Sequence, residues 1–201
     1  MKNFILVLLT CSALYAQTSA VALYEESQKA LSTGNIELAG EKIRAAIEAD
    51  KSNEKFRSEF DRLNNLRNTR NNANRAVQDG RFDDAIQGFG DVLQSVPNSA
   101  ESLYGTGKAY EGKKEFMIAV DFYKKSLQVD SGYDKSKKSI SNVAKKLYNS
   151  ANEDYKNGNL ESALTKYNQV LMITLEYTKL IFRLGFFKER WEIYQWQLKV
   201  T

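Results

Sequence analysis

The chain has 201 residues, and its 29 lysines and arginines exceed its 25 aspartates and glutamates by only four charges. A charged fraction of 27% with a single proline suits long helices and argues against a β-sandwich or a disordered chain. The sequence has no histidine, which excludes Ser-His and Cys-His nucleophile pairs and histidine zinc sites. The small positive charge is spread along the chain, so nucleic acid is not the expected partner.

Residues 1–20 have the pattern of a secretory signal. Lys2 is followed by six consecutive apolar residues between positions 4 and 9, and small residues come next. The apolar run is too short for a permanent membrane helix, which needs about 20 residues. We therefore expect cleavage near Ala16 or Ala20 and export to the bacterial envelope, in the periplasm or at the outer membrane. Lipidation of Cys11 is the alternative fate of this segment.

The segment from residue 100 to residue 131 predicts two helices folded back on each other. In each half, small and apolar residues recur three or four positions apart, which is the spacing of one helical face. Two such faces become buried by packing against each other. The positions are Leu103, Thr106, Gly107 and Tyr110 in the first half, and Phe116, Ala119, Val120, Tyr123 and Leu127 in the second.

A small residue followed four positions later by a large one recurs along the chain. The pairs are Ala39 with Ile43, Ala85 with Phe89, Ala119 with Tyr123, and Ala163 with Tyr167. We call the first member of each pair the marker alanine. In three of the four pairs a glycine stands five residues before the marker alanine, at Gly34, Gly80 and Gly158. In the third pair Gly112 stands seven residues before the alanine, which predicts a longer turn.

This pattern resembles the tetratricopeptide repeat, a 34-residue helix pair with Trp-x2-Leu-Gly-x2-Tyr in its first helix and Ala-x3-Phe in its second. Gly107 and Tyr110 match the first motif, and Ala119 and Tyr123 match the second. Pro97, the only proline, stands where the family's closing proline ends a helix. The resemblance implies an all-α, right-handed superhelical solenoid of antiparallel helix pairs. An unrelated helical bundle is the alternative.

The marker alanines are separated by 46, 34 and 44 residues, so two intervals exceed the 34-residue repeat. Because about eleven residues make three helical turns, insertions of this size lengthen a helix and keep the same face inward. Neither inserted run contains glycine or proline. We therefore expect about four repeats within residues 21–174, with long first helices at about 53–78 and about 135–156.

Residues 175–201 differ from the rest of the chain, because they hold both tryptophans and no asparagine. Apolar residues follow one another at spacings of 4, 3, 4, 3 and 4 between Leu180 and Leu198, with basic residues beside them. This pattern predicts an amphipathic C-terminal helix. Such a helix either caps the last repeat or makes peripheral contact with a membrane or a partner. A shifted reading frame is a third explanation of the composition.

No pattern in the sequence points to catalysis. Asp83 and Asp84 follow Gly80 at a predicted helix start, where negative charge complements the helix dipole without a catalytic role. Gly105 and Gly107 lack the further spacing of a phosphate-binding loop, and close helix packing explains them. We therefore predict that the protein is not an enzyme and uses no metal and no cofactor.

The resemblance implies a partner-binding groove, formed by the face of each first helix that does not pack against the other helices. Tyrosines there offer an apolar face and a hydroxyl, while Arg70 and Lys108 suit a carboxylate of a bound peptide. Arg70 with Asn74 also resembles part of the pair with which family members clamp a C-terminal carboxylate. The predicted groove residues are Tyr24, Arg67, Arg70, Asn74, Tyr104, Lys108, Tyr148 and Asn152.

The sequence thus predicts a non-catalytic protein-interaction scaffold of the bacterial cell envelope, with a protein or peptide partner. The alternative is an envelope-associated structural factor that contacts membrane or polysaccharide through a Lys-rich face and the C-terminal helix. Residues 108–146 hold ten lysines against five acids, and such an excess favours an anionic surface or an acidic partner.

Overall fold

The computed structural model describes the backbone of residues 19–183 and the side chains of residues 19–180. Within this part of the chain the secondary structure is α-helical and contains no strand, so the predicted all-α class is confirmed. The helices are α1 (19–32), α2 (Ile36–Ala49), α3 (Glu54–Gln78), α4 (Phe82–Ser95), α5 (Ala100–Gly112), α6 (Phe116–Val129), α7 (Asp134–Lys156) and α8 (Leu160–Arg183). The predicted signal segment before residue 19 and the C-terminal helix after residue 183 lie outside the described residues.

The helices form two compact units. Among the described residues, the first unit holds residues 19–75 together with Gln87–Ser99, and the second holds Ala76–Ile86 together with residues 100–183. In the first unit α1, α2 and α3 share one core cluster, and Val92 of α4 packs with α2 in another. In the second unit α5 packs on α6, α6 on α7 and α7 on α8. Within each unit, helices that follow each other in sequence are therefore neighbours in space, as repeat proteins require.

Two of the first helices, α3 and α7, are much longer than α5, the first helix of the third repeat. They have 25 and 23 residues, whereas α2, α4, α5 and α6 have 13 or 14. Their bounds agree with the predicted long helices within one residue. The insertions in the repeats therefore extend helices rather than loops, which keeps each packing face aligned with its partner.

Each first helix ends in the same turn. A residue with positive φ stands five positions before every marker alanine: Gly34, Gly80, Lys114 and Gly158. The following N–H donates to a carbonyl five residues back, for example from Glu115 to Tyr110 at 2.9 Å and from Asn159 to Asp154 at 2.8 Å. This is the Schellman arrangement that satisfies carbonyls at a helix end. The predicted longer turn in the third repeat is therefore wrong, because Lys114 adopts the conformation that glycine adopts elsewhere.

Aromatic rings occupy the space that a larger side chain would need at Gly107 and Gly112 of α5. A Cβ on Gly107 would lie 2.6 Å from Cε1 of Tyr123, and a Cβ on Gly112 would lie 2.2 Å from the ring of Phe82. No real Cβ contact is that short, so each ring occupies the space that the missing side chain leaves. The prediction that Gly107 serves close helix packing is confirmed.

The second helix of the fourth repeat, α8, is ten residues longer than the other second helices α2, α4 and α6. α2, α4 and α6 end ten residues after their marker alanines, and α8 ends twenty residues after Ala163. Asp50 and Asp130 end α2 and α6, because their carboxylates accept the N–H two residues on. The matching position in α8 is Thr174, and the helix continues through it. The predicted boundary between residues 174 and 175 thus lies inside a continuous helix.

Candidate functional site

The predicted groove residues lie at corresponding positions of the first helices. Tyr24, Arg70, Tyr104 and Tyr148 each stand ten residues before the left-handed turn residue. Asn74, Lys108 and Asn152 stand six residues before it, and Arg67 stands thirteen before it. In the first unit these residues belong to α1 and α3, and in the second to α5 and α7. The shared register that the sequence suggested is therefore present in the structure.

The tyrosines at this register are half-buried and pack on other rings. Tyr24 stacks on Phe56, with ring centroids 5.2 Å apart and ring planes 23° apart. Tyr104 contacts the rings of Tyr123 and Tyr133, each at 5.6 Å. Tyr148 similarly contacts Tyr167 at 5.9 Å. These side chains contribute to the packing of the repeats and offer a partner only the part of the ring that remains exposed.

Arg70 departs from the prediction that it would take a carboxylate from a partner. Only 4% of the residue is exposed, and its guanidinium binds both carboxylate oxygens of Glu37. The hydrogen bond from Arg70 is the main cause that holds the pKa of Glu37 below its usual value. Both terminal nitrogens of the guanidinium are thus engaged by an acid of the same chain. The partial resemblance of Arg70 and Asn74 to a carboxylate clamp is therefore not matched by an accessible Arg70, which forms an internal ion pair with Glu37.

The side chains six residues before the turn also make internal contacts. The Lys108 ammonium donates to Oε2 of Glu111 at 2.9 Å. The Tyr167 hydroxyl donates to the side-chain oxygen of Asn152. Both residues are half-buried, so each retains some capacity to bind a partner while helping to position its own repeat.

Glu111 forms the most connected polar cluster that the structure describes. The residue is 8% exposed, and its carboxylate accepts three hydrogen bonds. The donors are Nζ of Lys146 at 2.7 Å, Nζ of Lys108 at 2.9 Å and the Tyr123 hydroxyl at 2.6 Å. The cluster joins α5, α6 and α7, so it fixes the third repeat to the start of the fourth.

Opposing effects set the protonation of this cluster. Burial is the largest effect on Glu111 and disfavours the carboxylate, but the bonds from Lys146, Tyr123 and Lys108 together outweigh it. The pKa of Glu111 therefore lies below its ordinary value. Burial, and then the neighbouring carboxylate, raise the pKa of Tyr123, because a second negative charge there is costly. The carboxylate is thus ionised and the phenol neutral, an arrangement that holds structure rather than transferring protons.

Sequence reasoning did not identify Glu111 as the centre of a buried cluster. One signal could have found it, because the position three residues before the turn is apolar in the other repeats. Leu31, Val77 and Tyr155 stand there. A lone acid that is buried needs a counter-charge, and Lys146 supplies it from 35 residues away.

The surface that α3 leaves to solvent is rich in amides. Six asparagines occur between residues 64 and 74 of this helix. Four of them are exposed, and we call these the α3 amide stripe: Asn65, Asn68, Asn71 and Asn72. Arg75 is exposed on the same helix, and Arg67 donates to Oδ1 of Asn64 at 3.0 Å. The stripe thus places amide donors and acceptors beside two cations.

Five of the ten lysines between residues 108 and 146 form ion pairs with acids of the chain. Lys113 binds Asp83 at 2.7 Å, and Lys124 binds Asp121 at 3.0 Å as well as Glu176. Lys108, Lys137 and Lys146 also form ion pairs. The local excess of positive charge available to an outside ligand is therefore smaller than the composition suggests.

Between residues 19 and 183, no helix combines the length and the apolar character needed to cross a membrane. In the same part of the chain, no group of three or more acidic or cysteine side chains is arranged to hold a metal ion.

Comparison with known proteins identifies the fold. No protein-family model and no curated protein matches the sequence. Among solved structures, the chain is similar to the crystal structure of the TPR domain of P58(IPK), with a TM-score of 0.54 at 16% sequence identity. The similarity covers 90% of this chain and 54% of that one, so the present chain spans about half of its length. The chain therefore has the tetratricopeptide-repeat fold.

Proposed function

We propose that this chain is a non-catalytic scaffold of the bacterial cell envelope that binds an extended, acidic segment of another protein. The tetratricopeptide-repeat fold supports an interaction scaffold in general. The single observation that carries the particular site is the α3 amide stripe. It replaces Arg70 as the centre of the predicted groove, because Arg70 is occupied by Glu37.

The asparagines of the α3 amide stripe lower the stability of the helix, and their exposed side chains add no packing to the core. Asparagine is a poorer helix former than alanine by roughly 0.5 kcal/mol per residue, because its side chain competes for backbone hydrogen bonds. The four exposed asparagines contribute nothing to the core clusters of the first unit. Residues that lower the stability of a helix without improving its packing are expected at functional sites.

The chemistry of the stripe suits a peptide backbone. Each amide offers two donor hydrogens and an acceptor oxygen, which matches the alternating N–H and C=O groups of an extended chain. Asn65, Asn68 and Asn72 are three and four positions apart and therefore line one side of the helix. Arg67 and Arg75 add positive charge nearby, which favours an acidic segment.

The test uses a cross-linking capture from the envelope fraction, followed by affinity measurement with the captured protein. We expect Asn65→Ala, Asn68→Ala and Asn72→Ala together to weaken capture at least about tenfold. Their melting temperature should stay equal or rise, because alanine is the better helix former. A matched control replaces Glu41 and Glu48, two exposed residues of α2, with alanine. Unchanged capture by the triple variant would refute the site.

The envelope location depends on residues 1–20 alone. Their charged, apolar and small-residue succession supports export. N-terminal sequencing of protein from fractionated cells should show a mature end after Ala16 or Ala20. Recovery of Met1 in a cytoplasmic fraction would contradict export, whereas a lipid-modified Cys11 would place the protein on a membrane surface.

A further inference from the structure

The last described helix exposes an apolar surface that the preceding repeat buries. Leu164 and Leu171 of α8 are 61% and 46% exposed. Their counterparts on α6, 44 residues earlier, are Val120 and Leu127, which are 1% and 0% exposed. Those two residues lie in a core cluster with side chains of α7 and α8. In the third repeat this face is therefore covered by the next helix pair, and in the fourth it is open.

The open face continues along most of α8. Its large exposed residues, which we call the α8 apolar stripe, are Leu160, Leu164, Leu171, Met172 and Leu175. Together with Asn168, several of them follow the alternating spacing of three and four that lines one seam of a helix. At 1.5 Å per residue the stripe is roughly 22 Å long. A surface of this length with this spacing fits another helix.

We propose that the occupant is a second copy of the chain, with the two α8 helices antiparallel about a two-fold axis near residue 170. In this register Leu164 faces Leu175 of the second copy, and Glu161 faces its Lys179. Both charged residues are exposed, one near each end of the stripe. The helix is thus complementary to its own reversed copy in both apolar surface and charge.

The charges also select the direction of pairing. Parallel helices would place each residue beside its own copy, so that Glu161 would face Glu161 and Lys179 would face Lys179. Like charges at both ends would oppose that arrangement. Asn168 lies between the apolar positions close to the proposed axis, and a polar residue within a seam favours one register over the others.

Sedimentation velocity on the full chain, from micromolar to several hundred micromolar, tests the pairing. We expect a concentration-dependent dimer, and we expect Leu164→Lys with Leu171→Lys to raise its Kd at least about tenfold. Ile118→Lys is the matched control, because Ile118 is a 41% exposed apolar residue on α6, away from the stripe. It should leave the Kd unchanged. A wild-type chain that stays monomeric over this range would overturn the proposal.

A charge exchange tests the antiparallel register separately. Glu161→Lys alone and Lys179→Glu alone should each weaken the dimer, because each change creates like-charged pairs at both ends. The double exchange should restore the dimer, since opposite charges face each other again. Circular dichroism on each variant checks that the helices remain folded. A double variant no better than the single ones would exclude this register.

Discussion

The third and fourth repeats differ mainly in how far matching side chains are exposed. Leu127 and Leu171 occupy the same position of their second helices, yet the first is fully buried and the second is 46% exposed. Glu111 and Tyr155 occupy the same position of their first helices, with exposures of 8% and 63%. The pattern within one repeat thus identifies the face, and the neighbouring repeat decides whether that face is core or surface.

The comparison also shows how the third repeat accommodates a charge. Glu111 stands at an apolar position, and it is tolerated because Lys146 of the next first helix reaches back to it. The matching position of the last described repeat carries Tyr155 instead of an acid. An acid at this position therefore depends on the repeat that follows, which makes it a specific connection between neighbours.

The largest expected difference is between the two leucines. Leu127→Ala should lower the free energy of unfolding by about 2 to 5 kcal/mol, because it leaves a cavity in a packed core. Leu171→Ala should cost less than about 1 kcal/mol, because solvent already reaches half of that side chain. Urea unfolding at low protein concentration measures both without a contribution from association. Similar costs would show that α8 is covered in solution.

Glu111 should show the next largest effect. Glu111→Ala leaves the Tyr123 hydroxyl without its acceptor and releases two lysines, and it should cost about 1 to 3 kcal/mol. The lysines limit the loss, since Lys146 is 58% exposed at its side chain and can return to water. Tyr155→Ala at the matching position should cost well under about 1 kcal/mol. A smaller cost for Glu111 than for Tyr155 would refute the connecting role of the cluster.

The same cluster predicts a dependence of stability on pH. Because the folded-state pKa of Glu111 is lowered, its contribution is present above the unfolded value and is lost as pH falls through the folded one. Glu111→Gln should thus be less stable than wild type near neutral pH. The gap should narrow below the ordinary pKa of 4.5. Unfolding measured from pH 7 down to acid pH checks this, and a gap independent of pH would contradict it.

The sequence predicted most of the fold because the recurring residues act locally. Marker alanines and glycines such as Gly107 fix where two helices touch, and runs without glycine or proline predicted the long α3 and α7. The candidate site was less predictable, because burial depends on residues distant in sequence. Arg70 is occupied by Glu37 from 33 residues away, and Glu111 by Lys146 from 35. No local pattern specifies such partners.

The turn of the third repeat gives the smallest expected effect and the most direct comparison. Lys114 has a φ of 63°, whereas glycine takes this conformation at 34, 80 and 158. A left-handed conformation costs a residue with a Cβ about 1 kcal/mol, so Lys114→Gly should stabilise the chain by up to about that amount. The Lys114 side chain is exposed, so its removal costs no packing.

Two further variants separate backbone strain from the loss of a side chain. Lys114→Ala keeps the Cβ and should leave stability nearly unchanged, because it removes the lysine and retains the strain. Gly158→Ala should lower stability by about 1 kcal/mol, since a Cβ there meets no atom within 4 Å and only the backbone conformation opposes it. Thermal unfolding of the three variants measures the series. If Lys114→Gly proved no more stable than Lys114→Ala, the left-handed backbone at residue 114 would not be the source of strain.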